Sequence, residues 1–220
     1  MMKRILKTIR LILVLFFSSS LQSLSGQTIK EVFTSSETSI LYLGVDFTQA
    51  RLINDVSKTG IVVRDEIFPG INSVVVNEPK KYDLQGAFHK SLINNSLGIV
   101  TKRNKEINAE DILSTESSDY SRLKEEDINK LVSGIDFERK KGIGLLFIVE
   151  GMKKKDKLGT SLIWVTFVDM GANKVLMTER MEGMSSGGFT FRNYWASTIY
   201  SVIESIDNKK YKEWKKKYGS

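Results

Sequence analysis

The sequence predicts an α/β (α+β) domain: a single mixed sheet of about five strands, ending in a three-stranded antiparallel meander and packed by helices that include an amphipathic C-terminal one. Two observations predict the sheet. Ile143 to Glu182 holds the apolar runs IGLLFIVE and SLIWVTFVD followed by NKVLMTERME, each of strand length and rich in β-branched and aromatic residues. ILYLGVDF, Ile40 to Phe47, is apolar on both of its alternating faces, the pattern of a strand covered from two sides. The helices follow from a third observation, the stripe Trp195, Ile199, Val202, Ile203 and Ile206 in FRNYWASTIYSVIESI, which recurs at helical spacing.

Taken in order, TQARLIND after the first strand reads as a short helix. From Asp65 to Leu92 two helices are expected, with Pro69 near the start of one and Pro79 forcing a break before KKYDLQGAFHKSL. LGIVTK, Leu97 to Lys102, reads as a strand, and Ser114 to Ser121 as a loop. In KEEDINKLVSGI the residues Ile128, Leu131, Val132 and Ile135 have helical spacing, with Glu125 to Asp127 as the acidic first turn. GMKKKDKLG and DMGAN are short connections that make neighbouring strands pair as antiparallel hairpins.

Composition divides the chain into residues 1–26, 27–208 and 209–220. The first carries Lys3, Arg4, Lys7 and Arg10, then LILVLFF and small polar residues, the order of a signal peptide cleaved near Ser25 or Gly26. Its apolar core is far short of the roughly 20 residues that span a bilayer, so no transmembrane segment is expected after its removal. An exported protein, periplasmic or secreted, is the expectation. The second part reads as one domain without an interdomain linker. Of the formal charge of +7, four positive charges belong to the leader and a net five to Lys209–Ser220, leaving the body at −2. A nucleic-acid partner is therefore not expected, because phosphate binding needs a basic patch on the domain itself.

The chain has no cysteine and one histidine, so neither a disulfide nor a zinc site is expected, and no cofactor motif is complete. GMSSGGFT, Gly183 to Thr190, fits the G-x-S-x-G hydrolase elbow but offers no histidine downstream of Ser185. A small serine hydrolase using Ser185 and the upstream His89 is the alternative function. The same octapeptide misses a phosphate loop because Phe189 stands where lysine is required. The simpler reading is a turn with Thr190 capping the next helix and Phe189 and Phe191 anchoring it to the core. His89 reads as a surface histidine at a helix end. Asp46 and Glu150 end apolar strands, the setting of a desolvated general acid, although strand ends are also where chains return to water. Trp164 and Trp195 read as core.

In KKYKEWKKKYGS the residues Tyr211, Trp214 and Tyr218 share one helical face, with Lys209, Lys210, Lys212, Lys215, Lys216 and Lys217 around them. Two readings follow: the aromatics dock on the body as the last turns of the closing helix, which is preferred, or these nine residues make weak peripheral contact with an anionic surface.

The order of strand, helices, LGIVTK, GIGLLFIVEG, a hairpin V-D-x-x-x-x-K-V-L and a closing helix resembles the amino-terminal domain of TolB and LpoB-like lipoproteins, small modules of the bacterial envelope. FPGINSVVVNEPKKYDL and FRNYWASTIY also resemble segments of secreted proteins of Bacteroides-type bacteria. The resemblance implies a non-enzymatic binding or accessory module whose partner is an envelope protein or glycan, and it implies no catalytic residue.

Overall fold

The computed structural model describes residues 28–220; the expected signal peptide, residues 1–26, lies outside them. The elements are α1 (Ile29–Thr34), β1 (Ile40–Asp46), β2 (Arg51–Ile53), α2 (60–77), α3 (Leu84–Ala87), β3 (Ile93–Asn95), α4 (Gly98–Lys105), β4 (Leu113–Ser114), α5 (Glu125–Ser133), β5 (Ile143–Lys155), β6 (Leu158–Asp169), β7 (Lys174–Met184) and α6 (191–218).

Strand β5 organises the sheet. Its first half pairs in parallel with β1 and its second half with β2, while β6 runs antiparallel along the whole of its other edge and β7 pairs with β6. β3 lies outside β1 and β4 outside β2, both parallel. Among the described residues, the seven strand segments thus fill five positions across a mixed sheet, as the sequence predicts. Both faces of the sheet are covered. Ile143, Leu145, Phe147 and Val149 face α1, α2, α3 and α6, whereas Leu146 and Ile148 face α4 and α5. That alternation explains why the runs are apolar without interruption.

Several expectations are corrected. Residues 51–53 form a strand rather than part of a helix, because Leu52 and Ile53 complete the edge of β5 beyond the end of β1. LGIVTK is the start of helix α4, whose Ile99 and Val100 pack beneath the sheet; the strand at this position is β3, four residues earlier. The hairpin expected at GMKKKDKLG forms with an even tighter turn, because Lys153 to Lys155 extend β5 and the chain reverses on Asp156 and Lys157 alone, with Asp156 at φ +55°. Helix α2 starts at Gly60, nine positions before Pro69; Val63–Ile67 form a π turn whose wider winding accommodates the missing N–H of a proline inside a helix. The break at Pro79 stands, since α2 ends at Asn77.

Helix α6 holds a second π turn, Ile206–Lys210. Its apolar stripe steps by three or four residues up to Ile206 and then by five to Tyr211. The extra residue of the π turn absorbs that step and returns Tyr211 and Trp214 to the core-facing side, where both are buried. Their rings, with Tyr218, surround Phe33 of α1 at centroid distances of 5.7, 6.2 and 5.9 Å. Residues 209–220 are therefore part of the fold.

The β6–β7 turn matches the expected hairpin. Asp169 pairs with Lys174, its Oδ1 accepts from the amides of Gly171 and Ala172 at 2.9 and 3.1 Å, and Asn173 takes the left-handed conformation at φ +50°.

Candidate functional site

The carboxyl end of β1 is built by side chains that replace a strand. Beyond Tyr42, the register of β1 against β5 shifts at Gly44, which sits at φ +108°. Among the described residues, the outer edge of β1 then has no neighbouring strand. Asn72 of α2 instead accepts from Val45 N at 2.7 Å and donates to Val45 O at 2.9 Å. Asn104 of α4 accepts from Phe47 N at 2.8 Å and donates to Val45 O at 3.0 Å. Both amides are buried, and together they satisfy backbone groups that would otherwise be orphaned. A Cβ on Gly44 would lie 2.7 Å from Asn72 Oδ1, so glycine is required there for both conformation and space.

Asp46 ends the strand with no exposed surface. Its Oδ2 accepts from Arg103 Nε at 2.8 Å, and its Oδ1 accepts from both the amide and the hydroxyl of Thr48, at 2.8 and 2.6 Å. Arg103 also donates to Thr48 Oγ1 at 3.3 Å. Glu150 is equally buried and equally occupied: it accepts from Trp164 Nε1 at 2.9 Å and Leu123 N at 2.5 Å, with Arg180 at 3.7 Å. Arg122 locks this corner by donating to the carbonyls of Gln49, Glu150 and Asp119. Burial, then the nearby charge of Arg51, holds the Arg122 guanidinium below its ordinary value. Every oxygen of the two candidate acids is thus engaged in positioning backbone and arginine.

In front of this scaffold lies an open cleft of about 670 Å³ between the β1–β2 connection, the end of α4 and α5. Thr48, Gln49 and Arg51 line one side, Arg103, Glu106, Ile107, Asn108 and Asp111 a second, and Leu123, Asp127, Lys130, Leu131 and Gly134 the third. Arg51, Arg103 and Lys130 are balanced by Glu106, Asp111 and Asp127, with Leu123 and Leu131 as an apolar strip. Among the described residues, no aromatic side chain lines the cleft.

The other sequence candidates fall elsewhere. Ser185 is buried at the end of β7, where its amide donates to Gly159 O at 2.7 Å and its hydroxyl accepts from Gly187 N and from Ser197 Oγ. His89 is an exposed residue after α3, stacked on Tyr211 at 4.1 Å. Its neighbour Phe88 packs on Phe167, eight residues along β6 from Gly159, or about 26 Å at about 3.3 Å per residue. The structure does not bring Ser185 and His89 together. Thr190 caps α6 by accepting from Asn193 N at 3.2 Å, as expected, and Phe191 packs partly against the core. Phe189 is the correction. It is fully exposed, because the Gly188 backbone packs so closely on α6 that a Cβ there would meet Tyr194 N at 2.5 Å, leaving the next side chain outside.

In the C-terminal segment, Lys209, Lys212, Lys215, Lys216 and Lys217 are exposed, and Lys210 pairs with Glu179 at 2.7 Å and Glu213 at 3.0 Å. Tyr211 and Trp214 cannot contact an external surface, since the core holds them, and Tyr218 packs partly against it. Asn72, Asn104, Arg103 and Arg122 escape sequence reasoning because polar residues in short helices and turns carry no periodic signal.

No protein-family model matches the chain, and no curated protein does. Among solved structures the chain is similar to a hypothetical protein of Chlamydia trachomatis at 10% identity and a TM-score of 0.35, over 83% of this chain and 98% of the other. It is also similar to a lipoprotein of Neisseria meningitidis at 15% identity and a TM-score of 0.31, over 78% of this chain and 99% of the other.

Proposed function

We propose that the protein is an exported, non-enzymatic module of the cell envelope that binds an extended segment of an envelope protein in the cleft beside β1. The observation that carries this reading is the cleft itself, open, charged with both signs and floored by Leu123 and Leu131. A polypeptide presents such alternation of charge and apolar side chains, whereas a glycan is best held by aromatic stacking, which none of the described residues lining the cleft provides. The site lies at the carboxyl end of a parallel strand, where α/β folds place ligands. The saturation of Asp46 and Glu150 supports a role in binding rather than proton transfer, and the separation of Ser185 from His89 speaks against the hydrolase alternative. The basic and apolar leader supports export; among the described residues no helix is long and apolar enough to cross a membrane. The resemblance in element order to TolB and LpoB-like domains, with the edge strand at β3 rather than at LGIVTK, favours the envelope assignment.

A photocrosslinking residue at exposed position 106, in protein incubated with native envelope extract, tests the proposal. Polypeptide adducts competed by excess unmodified protein and lost with Arg51→Glu and Lys130→Glu are expected. Adducts unaffected by both charge reversals, or stoichiometric labelling of Ser185 by a serine-directed reagent, would overturn it.

A further inference from the structure

We propose that the end of the sheet formed by the β5–β6 turn and the β7–α6 loop docks on the surface of an anionic lipid bilayer. Four large apolar side chains stand in solvent here: Val56 at 81% exposure, Leu158 at 49%, Met184 at 52% and Phe189 at 108%. They come from three separate connections that the sheet gathers at one end. Lys155 pairs with Leu158 across the hairpin, Thr160 faces Met184, and Ile53 of β2 is in register with Lys153. Tyr194 ties two of the loops together: its hydroxyl donates to Lys157 O at 3.1 Å, and Gly188 packs on its backbone.

Cations surround the apolar residues. Lys58, Lys154, Lys155 and Lys157 are exposed and Lys153 half-buried, against Asp55, Asp156 and Glu182 of opposite sign. Glu182 accepts from the Tyr120 hydroxyl at 2.7 Å, and Lys153 lies 3.7 Å over the Tyr120 ring. The combination of projecting apolar side chains and interleaved lysines is what an interfacial membrane contact needs, the first entering the acyl boundary and the second meeting the headgroups. The shape favours a bilayer over a protein partner. Side chains projecting independently from a hairpin tip and a Gly-rich loop require no complementary cavity, and a fluid surface accepts each of them. The lysines of residues 209–217 provide the contrast: they crown buried aromatics at the other end of β6, beside Phe167, with no exposed apolar residue among them.

The absence of cysteine makes the test direct, since Ser186→Cys carries the only thiol of the full chain and accepts a polarity-sensitive fluorophore beside Phe189. Vesicles of phosphatidylcholine with one third phosphatidylglycerol should shift its emission to the blue, and pure phosphatidylcholine or 0.5 M salt should largely remove the shift. Adding Phe189→Ser should weaken partitioning about tenfold, in line with the transfer of one aromatic side chain. Lys154→Glu with Lys155→Glu should weaken it by about another tenfold or more. Lys212→Glu with Lys216→Glu should leave it unchanged. An unshifted fluorophore on anionic vesicles, a shift equally strong on neutral ones, or a loss produced by the C-terminal pair rather than the tip variants would each overturn the proposal.

Discussion

Replacing Trp214 by alanine tests whether the C-terminal segment belongs to the core. The indole is 1% exposed, lies 6.2 Å from the Phe33 ring and 6.4 Å from the Phe88 ring, and donates from Nε1 to Glu179 at 2.5 Å. A buried tryptophan removes about 150–250 Å² from water, which at about 25 cal/mol/Å² corresponds to about 4–6 kcal/mol as an upper bound. Measured truncations of this kind fall at about 3–5 kcal/mol, a large share of a domain stability of about 5–15 kcal/mol. At about 2–4 °C per kcal/mol for a chain of this size, the thermal midpoint should fall by about 6–20 °C. Circular dichroism melts of the wild type, Trp214→Ala and Lys212→Glu with Lys216→Glu provide the assay. The lysine variant should stay within about 0.5 kcal/mol of wild type, because both side chains are exposed. A chain ending at Asn208, which also loses Tyr211 and Tyr218, should be less stable than the alanine variant. A Trp214→Ala midpoint within 2 °C of wild type would refute the docking of this helix.

Gly44→Ala should destabilise by about 2–4 kcal/mol, from strain at a positive φ and the displaced Asn72 hydrogen bond, measured by urea unfolding. Tyr42 is fully buried with its hydroxyl unpartnered, and burial pushes that hydroxyl above the usual tyrosine range, so Tyr42→Phe should leave the protein as stable or about 1 kcal/mol more so; a clear loss would reveal a partner for the hydroxyl. Lys90 is pulled down to about 8 by burial and then by the charge of Lys215, while its Nζ donates to Val32 O and Ser35 O. The unfolded chain therefore holds this proton more tightly than the folded one, and stability should rise between about pH 8 and pH 10, a slope that Lys90→Met removes in unfolding curves at pH 7.5 and 9.5.

The two readings of the tail, docking on the body or contact with an anionic surface, illustrate how far the sequence reaches. Aromatic spacing over residues 211–218 defines a helical face, but whether that face meets the core or the outside depends on the phase of the helix. The π turn at Ile206–Lys210 sets that phase, and Phe33, far back in the chain on α1, receives it. Phe189 shows the converse. An isolated phenylalanine in a Gly/Ser loop reads as an anchor until the packing of Gly188 on Tyr194 turns it to solvent.

What the sequence by itself determines is the frame. Long apolar runs force β5 and β6 to be covered on both faces, the short polar turns make the meander antiparallel, and the stripe from Trp195 to Ile206 commits α6 to the sheet. Regular patterns of ten or more residues carry enough burial energy to specify their own conformation. Tertiary structure decides the rest. Leu97 to Lys102 and Arg51 to Ile53 are too short for their local preferences to prevail, so the first becomes a helix that places Asn104 against β1, and the second a strand that fills the free edge of β5. The cleft depends on both outcomes, because Arg51, Arg103 and Lys130 lie on elements far apart in the chain and meet only once β1 ends at Asp46 and the sheet continues without it.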